Sequence, residues 1–166
     1  MIMKTLFLVR HAKSSWDYPD LSDADRPLSK RGERDAPEMG RRLRKRGISP
    51  DVMLTSPANR AQSTCEIIAD AIKFPHDSIK IKESIYHAGE GTLLKVIKNL
   101  GDDSESAMIF GHNPGFTYLA NRLANESIDN IPTCGVFSCS FEVDSWQQVE
   151  FGKGKTLFFD YPKKSK

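Results

Sequence analysis

The sequence predicts an α/β protein of three layers, α/β/α, around a mainly parallel central sheet with antiparallel C-terminal edge strands. Three observations predict it. Short runs rich in β-branched and aromatic residues alternate four times with segments of helical period, and strands joined through helices pair in parallel by right-handed crossovers. Those runs are continuous rather than alternating, as strands buried on both faces require. From Gly135 onward the chain reads as strands alone.

The elements follow in order. Thr5–Val9 is a short β-branched and aromatic run, read as a strand. A polar loop, DYPDLSDADRPLS, closes on a helix-start signal at Ser29. From Lys30 to Arg46 the pattern is helical, with Met39 and Leu43 one turn apart and Gly47 ending the helix. Asp51–Thr55 is a second strand. SPANRAQSTCEIIADAI opens a helix at Ser-Pro, with Ile67, Ile68, Ala71 and Ile72 on its apolar face. Ile79–Tyr86 is expected as a third strand, Leu93–Leu100 as a helix and Ala107–Phe110 as a fourth strand. A last helix opens at HNPGFTYLANRLA, and GVFSCSFEV, QQVEFG and KTLFFDY are expected as terminal strands. No repeat or linker divides the chain, so residues 1–166 are read as one domain.

Bulk properties narrow the function classes. With 166 residues, 39% of them hydrophobic, the chain is long enough for one sizeable core. A formal net charge of +2 gives no strong pull toward nucleic acid or a membrane surface. Arg41, Arg42, Arg44, Lys45 and Arg46 are read as a solvated helix face, and Lys163, Lys164 and Lys166 as a loose tail. Cys65, Cys134 and Cys139 form no paired motif, which suggests neither zinc nor a disulfide framework and favours a reducing compartment. The apolar N-terminal run is short and broken at Arg10, His11 and Lys13, so no secretory or membrane-spanning segment is expected. The expectation is a cytoplasmic monomer without metal or cofactor.

Chemistry concentrates where strands end. In an open parallel sheet, ligands bind beyond the carboxyl ends of the strands. The first strand ends in Arg10-His11, the second runs into TSPANR with Arg60 in the next helical turn, and the fourth ends in Gly111-His112-Asn113. Neighbouring parallel strands would bring two Arg and two His together beside the N–H groups of a helix N-terminus, a setting that favours anions. Guanidinium forks match phosphate oxygens. One neutral imidazole is a competent phosphoryl acceptor, and a second, if protonated, could stabilise the oxygens in transit. The residues alone do not say which histidine plays which part. His76 reads as an exposed turn residue, Trp16 as a rim residue, Cys65 as core, and Trp146 and the Phe158, Phe159, Tyr161 run as sheet packing.

The segments LFLVRHAKS, TSPANRAQST and FGHNPG together resemble the histidine phosphatase superfamily, which includes the phosphoglycerate mutase-like enzymes. Ala12 after the Arg-His pair, DRPLSKRG and GHNPG resemble its small SixA-type branch of phosphohistidine phosphatases. The resemblance covers residues 3 to about 125 and implies a phosphoglycerate mutase-like fold. It implies His11 as the nucleophile that becomes phosphohistidine, Arg10 and Arg60 as clamps on the phosphoryl oxygens, and His112 as the residue completing the site. The Asn113 backbone and Ser14 are further candidates for substrate binding. Many relatives carry a phosphate-binding Asn six residues after the nucleophile, where this chain has Asp17, expected to face elsewhere, toward Arg26 or a cationic group of the substrate. Glu83 is the nearest match to the general acid of relatives acting on alcohol phosphates, with His87 and Glu90 as competitors. A phosphoimidazole leaves readily once protonated, so an ambiguous acid suits a phosphohistidine substrate.

The chain between Arg60 and His112 leaves no spare segment for a lid, which favours a phosphate presented on a protein surface. The implied function is dephosphorylation of phosphohistidine on a protein such as a phosphorelay domain. The alternatives are a small-molecule phosphatase or mutase, and a phosphate-binding module without turnover.

Overall fold

The computed structural model describes residues 3–164. Lys166 lies outside them. The elements run β1 (Met3–Arg10), α1 (Lys30–Lys45), β2 (Val52–Thr55), α2 (Asn59–Ile72), β3 (Lys80–Ile81), α3 (Glu90–Lys98), β4 (Ser106–Gly111), α4 (Gly115–Ala124), β5 (Val136–Glu142) and β6 (Lys155–Asp160). The six strands form one sheet in the order β3-β2-β4-β1-β5-β6. The first four in that order are mutually parallel, while β5 lies antiparallel to β1 and to β6. The expected mainly parallel α/β sandwich is present.

The continuity of the β1 run has its predicted meaning. Leu6 and Leu8 point into a core shared with Ile97, Phe116 and Leu119 of α3 and α4. Phe7 and Val9, on the other face, join Met39, Leu43, Cys65 and Ile68 of α1 and α2. Each fully buried Leu, Ile or Phe contributes roughly 1.5–3 kcal/mol by leaving water, so a strand buried on both faces is a firm mount. Among the described residues no helix is long and apolar enough to cross a membrane.

One expected strand is much shorter than read, and another is absent. β3 pairs with β2 only at Lys80 and Ile81, and Glu83–Ile85 forms a 3-10 turn. A continued strand would have put Ile79, Ile81, Glu83 and Ile85 on one face. The turn instead leaves Ile79 against the α1/α2 core, sends Ile85 into the α3/α4 core and keeps Glu83 in solvent. QQVEFG begins within another 3-10 turn, Trp146–Gln148. Ser145 and Gln148 close a reciprocal capping box around it, a helix-start signature that outweighs the strand-like composition. Trp146 is buried there in the core it shares with Leu6, Ile109 and Phe141 of the sheet, as expected, and donates its indole N–H to the Ser104 carbonyl at 2.7 Å.

The basic stretch of α1 is only partly a solvated face. Arg42 reaches across to the end of β6, bonding Asp160 at 3.1 Å, the Tyr161 carbonyl at 2.9 Å and the Pro162 carbonyl at 2.8 Å. Arg46 stacks on the Phe158 ring at 4.0 Å. The tail is likewise anchored, with the Lys164 ammonium donating to the Phe159 carbonyl.

Candidate active site

Strand register brings the site together. β1 and β4 pair with Arg10 opposite Gly111, so His11 and His112 both stand one residue beyond the last paired position. The His11 N–H donates to the Gly111 carbonyl at 3.0 Å, and the two rings lie 5.2 Å apart between centroids. On the other side of β4, the Ser56 N–H donates to the Phe110 carbonyl at 3.0 Å, which carries the β2 end to the same place. Thr64 ties this end of the sheet to α2: its hydroxyl accepts the Ala12 N–H at 2.9 Å and donates to the Arg60 carbonyl at 2.8 Å.

Arg10, His11, Arg60, His112, Ser14 and Asn113 all line one cavity of about 290 Å³. His11 sets its tautomer through its neighbour. Nδ1 stands 2.7 Å from the Ala12 carbonyl, which can only accept, so Nδ1 carries the hydrogen and a neutral ring has its lone pair on Nε2. Burial pushes the His11 pKa down to about 4, the Ala12 bond opposes this, and Arg60, Arg10 and Arg26 reinforce it. Burial, His11 and Arg60 push His112 down to about 3. Burial thus favours the neutral form of both rings near pH 7 and disfavours the imidazolium considered for the second histidine. His112 Nε2 lies 2.8 Å from the Ser56 hydroxyl. Among the described residues its Nδ1 has no partner in the protein, and neither have Arg10 Nε and Arg60 Nε, although all three atoms are buried. Two guanidinium N–H groups and a ring nitrogen, buried together without protein partners, form a setting suited to an anion.

The described part of the chain also carries a sequence profile. Residues 6–95 match that of the histidine phosphatase superfamily, branch 1. The chain belongs to the histidine phosphatase superfamily. It is 32% identical to an uncharacterised Mycobacterium tuberculosis protein over 166 aligned residues, 93% of this chain and 100% of that one. It is 33% identical to an uncharacterised chloroplastic protein of Arabidopsis thaliana, across 89% of this chain and 71% of the relative. In fold it is similar to the protein histidine phosphatase SixA complexed with tungstate, with a TM-score of 0.81 at 22% identity, covering 95% of this chain and 97% of that one. It is also similar to a phosphoglycerate mutase from Bacillus anthracis, with a TM-score of 0.65 at 14% identity, covering 90% and 92% of the two chains.

Within this superfamily member, the remaining candidates fall into place differently from the sequence reading. Ser14 accepts from Arg26 at 2.8 Å. The Asn113 side chain is spent on structure: it donates to Asn130 and the Ile131 carbonyl, and its oxygen accepts from the Thr117 N–H and hydroxyl. With the Phe116 N–H bonded to the His112 carbonyl, the first turn of α4 offers fewer open donors than expected. Asp17 is exposed, and its N–H bonds the Ser15 hydroxyl; Arg26 pairs instead with Asp23, at 3.3 Å. Trp16 sits on the rim, 72% exposed, with the Arg26 guanidinium stacked 3.6 Å above its ring. Glu83 is exposed and does not line the cavity, and Glu90 lies 4.0 Å from Arg122. His87 does line it, with its ring 5.9 Å from that of His112.

Sequence reasoning missed Asp23. Its backbone carbonyl and carboxylate both hold Arg60, at 2.7 and 2.9 Å, and the carboxylate also accepts the Tyr86 hydroxyl at 2.5 Å. Burial pushes the Asp23 carboxyl up, but the Tyr86 hydroxyl and Arg60 outweigh it and hold the group far below the usual carboxylate range. The DRPLSKRG segment pointed to this loop, yet nothing in it distinguished Asp23 from Asp20 or Asp25. Among the described residues no group of three or more His, Cys, Asp or Glu side chains is placed to hold a metal ion.

Proposed function

We propose that this chain is a phosphatase that transfers a phosphoryl group to His11 and then to water, with phosphohistidine on a protein as its preferred substrate. The observation that carries the reading is the His11 ring: buried, neutral, with Nδ1–H bonded to the Ala12 carbonyl and Nε2 free to attack. In the first step Nε2 forms a bond to phosphorus while the bond to the leaving atom breaks and its electron pair departs with that atom. Arg10 and Arg60 neutralise the phosphoryl oxygens, and His112 donates from Nδ1–H in the tautomer whose Nε2 accepts the Ser56 hydroxyl. In the second step water attacks phosphorus, the bond to His11 breaks, and its electron pair returns to Nε2. The Nδ1–H bond to Ala12 keeps the ring aimed throughout, which is the positioning that phosphoryl transfer mainly requires.

A leaving imidazole suits this site. The exposed rim of Trp16 and His87 leaves the cavity open to a phosphate carried on a folded partner. The likeness to a SixA protein bound to tungstate, a tetrahedral oxyanion, supports the same direction. The test is release of ³²P from a phosphohistidine carrier protein measured beside a panel of phosphate monoesters, with and without chelator. Turnover of the phosphoprotein that survives chelation and disappears in His11→Ala is expected. Turnover of monoesters only would overturn the protein substrate, and no turnover by wild type would favour a phosphate-binding module.

A further inference from the structure

We propose that His87 is the proton donor and acceptor of this reaction, positioned by Asp23 and Tyr86; the assignment rests on the reading of His11 as nucleophile. Four independent features of the structure lead there. His87 lines the same cavity as His11 and His112, on its solvent side, with a side chain 61% exposed. Its backbone is held at φ 56°, in the left-handed region that residues with a Cβ adopt at a cost and keep where the surroundings impose it. Its ring stacks on Tyr86 with centroids 3.9 Å apart. Its Nε2 lies 3.5 Å from Asp23 Oδ2, the oxygen that also takes the Tyr86 hydroxyl and one arm of Arg60.

The loop that carries His87 is seated by a close approach. A Cβ on Gly115 would lie 2.1 Å from the Ala88 carbonyl oxygen, so only glycine lets residues 86–88 rest on the start of α4, beside His112. The other candidates are committed elsewhere. Glu83 stands outside the cavity and Glu90 lies near Arg122. Asp23 stays a carboxylate among its cations and cannot donate, and the Tyr86 proton is given to Asp23. Arg26 is bound to Ser14 and Asp23. Lys13 is the one further ammonium in the lining, and it serves as the control.

The proton balance closes over both steps. As the bond from phosphorus to the leaving atom breaks, the His87 imidazolium gives that group its proton and becomes neutral. A phosphoimidazole takes it on the ring nitrogen remote from phosphorus, and an ester takes it on the bridging oxygen. Water then attacks phospho-His11, its proton passes to neutral His87, and the original charges are restored. With Nε2 facing Asp23, Nδ1 is the atom that exchanges.

The test varies the leaving group. His87→Asn is expected to lower kcat/KM for phenyl phosphate about 100-fold, and that for 2,4-dinitrophenyl phosphate, whose phenolate needs no proton, less than about threefold. Asp23 and Tyr86 position the ring, so Tyr86→Phe should lower kcat/KM for phenyl phosphate by less than His87→Asn does, and again leave the dinitrophenyl ester nearly unchanged. An equal loss on both substrates, no loss on either, or a leaving-group effect that follows Lys13→Met instead would overturn the assignment. Alkaline-quenched phosphoenzyme from the dinitrophenyl ester separates the two readings. Its presence in His87→Asn shows a folded, reactive site, so a failed leaving-group effect then condemns His87 alone. Its absence in wild type overturns the His11 reading and this assignment with it.

Discussion

Acidification should destabilise this protein through its two buried imidazoles before Asp23 takes part. His11 has an ordinary pKa of 6.5 in the unfolded chain and about 4 in the fold, and His112 falls from 6.5 to about 3. A histidine depressed by folding binds fewer protons in the native state, so its stabilisation is intact above pH 6.5 and is lost as pH falls toward the folded value. Each pKa unit corresponds to about 1.4 kcal/mol, so acidification from pH 6.5 to about 4 removes about 2–3 kcal/mol per ring, a large share of a typical domain's stability. Asp23 works in a separate window: a depressed carboxyl gives stability above its unfolded value of 3.8 and loses it only below that. Urea unfolding followed by tryptophan fluorescence, at steps from neutral to about pH 4, measures the slope. His11→Asn and His112→Asn should each flatten it by about one proton, and inorganic phosphate should flatten it in wild type, because a bound dianion favours the charged rings. A wild-type curve without slope in this range, or variants that keep it, would refute the burial argument.

Other consequences are equally open to measurement. Thr64→Val removes a hydroxyl that serves the Ala12 N–H and the Arg60 carbonyl, and should cost about 1–3 kcal/mol in urea unfolding together with a fall in kcat. Gly115→Ala forces the Ala88 carbonyl away and should lower kcat/KM far more than it lowers Tm; equal activity would mean that the 86–88 loop does not matter. Arg42→Met breaks the link between α1 and the chain after β6, and should lower Tm by several degrees with kcat unchanged.

Much of the fold was legible because burial writes itself into composition. The β1 run had to be apolar on both faces, and α1 had to repeat Met39 and Leu43 one turn apart. The four central site residues were legible because parallel strands end on one side of a sheet, so Arg10, His11, Arg60 and His112 converge by topology alone. What escaped had no periodic signature. Asp23 meets Arg60 across 37 residues and Tyr86 across 63, through single polar side chains in loops. The β3 segment misled for a related reason: its composition suits a strand, but the chain turns after Ile81, which sends Ile85 into the core and leaves Glu83 in solvent. Ser145 and Gln148 did carry a local capping signal, which was masked by the β-rich segments around it.

The register of β1 against β4 has a consequence for how this site tolerates change. Parallel neighbours stand about 4.7–4.9 Å apart by backbone hydrogen bonding, whatever their side chains. The backbone mounts of the two rings, whose centroids lie 5.2 Å apart, thus inherit their spacing from the pairing of the sheet, and the bonds to Ala12 and Ser56 aim the rings from there. Core substitutions that respect the register can drift without moving the backbone of His11 relative to that of His112. A one-residue slip would turn every side chain of β1 to the opposite face and dismantle core and site together. The spacing of the two mounts is therefore a backbone quantity, which leaves the side chains around them freer to change.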